Sequence, residues 1–258
     1  MKKRVVAFAG KGGVGKTTSL ALFLKYLIEK DSSEILVIDS DPDANVGDVI
    51  GKEISFNQTL ASKMTELKEK IQNRSLPLDM PKNQIIEGDV FRSLIEMDKF
   101  DILEMGRQEG SGCYCFINSV LKNVIDTLSE NYDITLLDSP AGLEHFSRKT
   151  GRNVTDLIIV TDPSKMGIHT MKRIIELTKE VSLEFENIWI IGNRFPDSLK
   201  EALEKEVEEI SESNIKLLGF LPDDKTISEY NFLGKNLLEL EQDEKVYQKA
   251  KEIFRTII

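Results

Sequence analysis

Gly10-Lys11-Gly12-Gly13-Val14-Gly15-Lys16-Thr17-Thr18 follows directly on the apolar run Val5-Val6-Ala7-Phe8-Ala9. It leads into Leu20, Leu24, Leu27 and Ile28, which share one helical face. The G-x-x-x-x-G-K-T spacing from Gly10 to Thr17 belongs to a loop that wraps phosphate in its backbone N–H groups. Side chains at Gly10, Gly12, Gly13 or Gly15 would hold those N–H groups, and that of Val14, away from the phosphate oxygens. Lys16 supplies positive charge for the β- and γ-phosphates, the Thr17 hydroxyl is a magnesium ligand, and Thr18 continues the same turn. The helix that follows points its positive end at the same anion. A strand before the loop and a helix after it predict an α/β fold that binds a nucleoside triphosphate with Mg2+.

Two acidic turns stand at the ends of later apolar strands. Ile35-Leu36-Val37-Ile38 runs into Asp39-Ser40-Asp41-Pro42-Asp43-Ala44-Asn45, and Ile134-Thr135-Leu136-Leu137 runs into Asp138-Ser139-Pro140-Ala141-Gly142. An acidic turn alone reads as solvated surface. At the carboxyl end of a strand, beside a phosphate loop, it reads as part of the ligand crevice of an open α/β sheet. Lys11 is a second lysine where an ordinary phosphate loop requires none.

These features together resemble the deviant Walker A ATPases, the group that contains MinD, ParA and the nitrogenase iron protein. The first turn matches the D-x-D-P-x-x-N switch of that group and the second its D-x-x-x-G switch. The resemblance implies a homodimer formed on ATP binding, with Lys11 crossing the interface to the partner's phosphates. It implies that Asp41 activates water and that Asp39 and Asp138 stand around the magnesium. Lys11, Lys16 and Asp41 are then the catalytic residues of ATP hydrolysis to ADP and phosphate. Later, Ile188-Trp189-Ile190-Ile191 ends in Gly192-Asn193-Arg194. Asn193 and Arg194 resemble the adenine-side residues of the group, as do Leu221 and Pro222 with Asp223.

The composition agrees. A chain of 258 residues is long enough for one α/β domain with a sizeable core, and no linker divides it. A net charge of −10 argues against a nucleic-acid partner, because phosphate backbones reward clustered Lys and Arg. No stretch reaches the roughly 18 apolar residues of a membrane span, and the short apolar run after Met1 lacks a cleavage site. The expected location is cytoplasmic.

Alternating strand and helix patterns predict a doubly wound, mostly parallel sheet with helices on both faces. Strands are expected near 4–9, 35–39, 101–105, 133–138, 154–161, 187–192 and 215–220. Helices are expected near 167–181 and 198–212. Residues 53–98, with Pro77 and Pro81, read as a helical insertion in a single domain spanning 1–258.

Cys113 and Cys115 are the two cysteines of the chain, and one residue separates them. Gly110-Ser111-Gly112 precedes them, and Ile117, Val120, Leu121, Val124 and Leu128 mark an amphipathic helix after them. A thiol at a helix N-terminus has a lowered pKa, so thiolates are available for metal. A disulfide at this spacing would be strained and out of place in a reducing compartment. Buried packing cysteines are the alternative reading. Two thiolates make half of a four-coordinate site, and a dimer would complete it for nickel, zinc or an iron–sulfur cluster.

The stretch from Met105 through Cys113-Tyr114-Cys115 to Phe116 resembles the C-x-C segment of the CooC-type ATPases. That resemblance implies a metallochaperone carrying Ni2+ (or Zn2+) to a nickel enzyme client, carbon monoxide dehydrogenase or acetyl-CoA synthase. Two other functions are carried as alternatives. A positioning ATPase of the MinD type would use Val246, Ala250, Ile253 and Ile257 on a membrane or polymer, although Glu241, Asp243, Glu244 and Glu252 offset the lysines around them. An iron–sulfur reductase would carry its cluster on Cys113 and Cys115. Of the two histidines, His169 reads as a surface or capping residue, and His145, which follows the second acidic turn, is a candidate sensor of nucleotide state.

Overall fold

A computed structural model of the chain describes residues 3–31, 34–41, 45–73, 82–106, 127–140, 154–180, 185–210 and 212–258. Eight strands among them form one sheet: β1 (Arg4–Ala9), β2 (Ile35–Asp39), β3 (Leu94–Glu96), β4 (Asp101–Glu104), β5 (Ile134–Asp138), β6 (Asp156–Thr161), β7 (Asn187–Asn193) and β8 (Ile215–Leu221). Their spatial order is β3-β4-β2-β5-β1-β6-β7-β8. Every neighbouring pair is parallel except β3 and β4. This is the doubly wound, mostly parallel P-loop fold that the alternating pattern predicts.

The central strands are continuous apolar runs because both faces of the sheet are covered. Successive residues go to opposite sides. Val5, Ala7, Leu36, Leu103, Leu157 and Ile188 join one core with helices α3 (Leu60–Gln72), α4 (Lys82–Ser93), α5 (Lys165–Glu180) and α6 (Asp197–Glu208). Val6, Phe8, Val37, Leu136, Ile158 and Trp189 join the other, with α1 (Lys16–Glu29) and α8 (Lys245–Phe254). Two smaller helices, α2 (Val46–Val49) and α7 (Lys225–Leu233), lie near the carboxyl ends of the strands.

Helix α1 is buried nearly all round, as a helix with apolar residues on every side must be. Phe23 stacks on Phe254 of α8 with ring centroids 4.6 Å apart and tilts against Phe8 at 6.2 Å. The face of α8 considered for a membrane surface is thereby occupied. Val246, Tyr247, Ala250, Ile253 and Phe254 are buried against α1 and β8. Among the described residues no helix is long and apolar enough to cross a membrane.

The stretch read as helical between 53 and 98 does contain α3 and α4, but it ends in a strand. β3 is three residues long and pairs antiparallel with β4 through a tight turn in which Met97 N–H donates to Phe100 O at 3.0 Å. A run that short shows no periodicity of its own. Pro77 and Pro81 lie outside the described residues, as do residues 117–126 of the helix expected after the cysteines.

Candidate nucleotide site

The strand registers bring the acidic turns to one place. Asp138 pairs in register with Phe8 of β1 and with Asp39 of β2, and Asp39 pairs with Glu104 of β4. All four positions are at carboxyl ends of strands, where the order of the sheet reverses across β1 and where open α/β sheets bind ligands.

The glycine loop closes over this edge. Gly10 has φ 147°, and a Cβ there would stand 2.2 Å from Val160 O of the neighbouring strand, so the loop can leave β1 only with glycine at that position. Gly15, at φ 95°, precedes α1 without a side-chain cap, and the first turn of α1 carries no acidic residue. Among the described residues no side chain caps its first N–H groups, which are placed to meet an anion. Ser19 is turned back onto the loop, its hydroxyl donating to Gly15 O at 2.8 Å. Lys16 is 7% exposed.

Two buried carboxylates, Asp138 and Asp39, lie side by side at the strand ends by the loop, and Glu104 stands beyond them at the end of β4. Thr17 Oγ1 donates to Asp138 Oδ2 at 2.5 Å, while Asp138 Oδ1 is buried without a hydrogen-bond partner among the described residues. Burial pushes the Asp138 carboxyl up to about 6, against the opposing pull of Thr17 and Lys16. Asp39 is fully buried, and desolvation followed by repulsion from Asp138 raises its pKa well above the ordinary value. Its two oxygens accept the N–H groups of Asp41 at 3.0 Å and Val46 at 2.9 Å, so it braces both ends of the turn between them. Glu104 is raised to about 7 by burial and by Asp48. A magnesium ion takes hard oxygen donors. The Asp138 carboxylate, with the Thr17 hydroxyl and the buried Lys16, fits a magnesium ion and its phosphate, and the cation's charge would draw the proton affinity of Asp138 back down.

A cavity of about 420 Å³ runs outward from the loop. Of the residues expected from the sequence, Gly12, Gly13, Gly15, Lys16, Thr17, Thr18, Asp41, Asn193, Arg194, Leu221 and Pro222 line it. Gly10, Lys11 and Val14 belong to the same loop outside that lining, and Asp39 and Asp138 are buried at the ends of β2 and β5. Asn193 Nδ2 donates to Val14 O and Arg194 Nη2 to Gly13 O, each at 2.7 Å.

The cavity also has a wall that the motifs do not reveal. Asp224 caps α7 by accepting the Thr226 N–H at 2.8 Å and the Ile227 N–H at 3.4 Å, and Ile227, Ser228 and Asn231 of that helix face the cavity. An aspartate two residues before a threonine is a cap signal legible in sequence. Its placement beside the loop comes only from the pairing of β7 with β8.

Cys113 and Cys115 lie outside the described residues, as do Pro42, Asp43, Ala44, Gly142 and His145. His169 is exposed on α5. Among the described residues there is no group of three or more His, Cys, Asp or Glu side chains placed to hold a metal ion.

The loop, the carboxylates beside it and the sheet order define a P-loop nucleotide-binding protein. The chain belongs to the AAA domain family, whose model matches residues 2–190. It is 39% identical to an uncharacterized ATP-binding protein of Methanocaldococcus jannaschii, covering 98% of each chain. It is 27% identical to the carbon monoxide dehydrogenase accessory protein CooC of Rhodospirillum rubrum, covering 91% of this chain and 89% of that one. Among solved structures, the ParA family ATPase of Chlorobium tepidum matches with a TM-score of 0.71 at 18% identity, covering 97% of both chains. That structural likeness concerns the fold.

Proposed function

We propose that this chain is an ATP-hydrolysing metallochaperone that dimerises on nucleotide. Cys113 and Cys115 of the two subunits together carry nickel, or zinc, for a nickel enzyme such as carbon monoxide dehydrogenase or acetyl-CoA synthase. The observation that carries the nucleotide half is the contact between Thr17 and Asp138 at the base of a cleft lined by Lys16. The metal half is supported by the Cys-x-Cys segment and by similarity to CooC over most of both chains.

Phosphoryl transfer to water asks for positioning and charge neutralisation more than covalent chemistry. Lys16 and the N–H groups at the start of α1 offset the charge of the triphosphate. Thr17, backed by Asp138, would hold the magnesium ion, which supplies further neutralisation of the β- and γ-phosphate oxygens when bound. Asp41 stands at the cavity wall with its backbone fixed by Asp39. Its carboxylate orients the attacking water and accepts its proton. Asn193, Leu221 and Pro222 form the base end of the cleft. Lys11 reaches the partner's phosphates, so a triphosphate favours the closed pair of subunits more than a diphosphate does. A ligand biases two states only through such a difference in affinity. Closing brings the cysteine pairs of the two subunits together, and hydrolysis releases them and their metal to the client.

Light scattering after size exclusion tests the dimer. The Asp41→Ala variant with ATP and magnesium should retain ATP and run at twice 29.2 kDa. With ADP it should run as a monomer. A monomer under both conditions would remove the sandwich from the account.

A further inference from the structure

The geometry points to the dipeptide Asn193–Arg194 as a latch that holds the phosphate loop in its anion-binding shape. Arg194 is then a positioning residue that acts on the nucleotide through the loop's backbone. The inference rests on the nucleotide reading above and goes beyond it by assigning Arg194 a role away from the base.

β7 ends at Asn193, and the chain turns at Arg194 with φ 59°, in the left-handed region that a residue with a Cβ enters at a cost. The backbone N–H of Arg194 donates to Leu221 O at 2.9 Å, which ties the turn to the end of β8. From that anchored position the guanidinium Nη2 crosses to Gly13 O at 2.7 Å, and Asn193 Nδ2 reaches Val14 O at 2.7 Å. Two successive carbonyls of the loop are thus held from outside by two successive residues.

Holding a carbonyl fixes the whole peptide plane. In a trans peptide the C=O and the following N–H point in opposite directions. The Val14 carbonyl turned toward Asn193 therefore aims the Gly15 N–H the other way. The Gly13 carbonyl held by Arg194 likewise sets the Val14 N–H, which donates to Lys11 O at 3.4 Å and closes the turn of the loop. Gly15 makes room for the arrangement. A Cβ at that position would stand 2.4 Å from Asn193 Nδ2, so the latch needs glycine there independently of its φ. Without the two bonds the glycine-rich loop samples many other shapes, and an anion would have to order it on binding.

A latch and a direct contact to the base or sugar differ in which ligands feel the loss. The test measures the affinities of Mg-ATP and of Mg-tripolyphosphate, which has no base or sugar, for the parent and for Arg194→Gly. Glycine accepts the positive φ, so the melting temperature should stay level or rise. Both ligands should weaken by the same factor, about tenfold for one hydrogen bond from a charged donor, or about 1.4 kcal/mol. Arg194→Lys should fall between the two proteins, since it keeps the charge without the fork of donors. Loss of ATP affinity with tripolyphosphate unchanged would overturn the latch in favour of a direct contact to the base or sugar. No change in either ligand would overturn it outright. A parent protein that binds neither ligand would overturn the nucleotide reading and the latch together.

Discussion

The Thr17 hydroxyl donates to Asp138 Oδ2 at 2.5 Å, joining the first turn of α1 to the end of β5. The contact couples the residue that follows the loop lysine to a strand more than a hundred positions later. It makes the phosphate loop and the second acidic turn one unit.

Removing either Lys16 or Thr17 from the loop side of that unit should stop hydrolysis. Thr17→Ala removes the donor to Asp138 Oδ2, and Lys16→Ala leaves the phosphate charge unmatched. Each should lower ATP turnover by about 100-fold or more. Phosphate release at saturating ATP measures it, and turnover within a few-fold of the parent in either variant would contradict the assignment.

Glu104 supplies a pH signature. It is 5% exposed at the end of β4, and burial together with Asp48 lifts its carboxyl to about 7 from an ordinary 4.5. The unfolded chain ionises this group near 4.5 and the fold resists until about 7. Its share of stability is therefore full below about 4.5 and is lost as pH rises through 7. Glu104→Gln cannot ionise. It should match the parent near pH 4.5 and exceed it at pH 8 by roughly 1–3 kcal/mol, several degrees in melting temperature. A gap that does not grow with pH would contradict the burial of a charge at this position.

Asp156 is the structural counterpart at the opposite end of the sheet. It is fully buried at the start of β6 and accepts from Arg4 Nη2 at 2.7 Å, Trp189 Nε1 at 2.9 Å, Asn187 Nδ2 at 3.1 Å and the Thr155 hydroxyl at 2.7 Å. Asp156→Ala strands the buried donors and the partly buried Arg4 guanidinium, and should cost about 3 kcal/mol. Urea denaturation measures it, and a loss below about 1 kcal/mol would contradict the network.

The sequence makes the phosphate loop legible because its demands are local. Glycines at Gly10 and Gly15, a lysine and a threonine must stand at fixed spacing whatever the rest of the chain does. The sheet is legible for a similar reason, since fully buried parallel strands are continuous apolar runs. β3 is not legible, because three residues carry no period and their pairing with β4 is a tertiary event. The wall formed by α7 is hidden for the same reason. Ile227, Ser228 and Asn231 look like ordinary residues of a capped helix until β8 delivers them to the cleft. The strained turn at Arg194 has no sequence signal, because its positive φ is imposed by the bonds to Leu221 and Gly13.

The most direct test of the central claim is an anaerobic nickel titration of the parent and of Cys113→Ser/Cys115→Ser, with ATP and with ADP, read by thiolate charge-transfer absorbance. The account predicts one nickel per dimer for the parent, weakening at acidic pH because the ligands must be deprotonated. It predicts no tight binding for the double variant while its ATP hydrolysis remains near the parent's. A double variant that binds nickel as tightly as the parent would contradict the metallochaperone account.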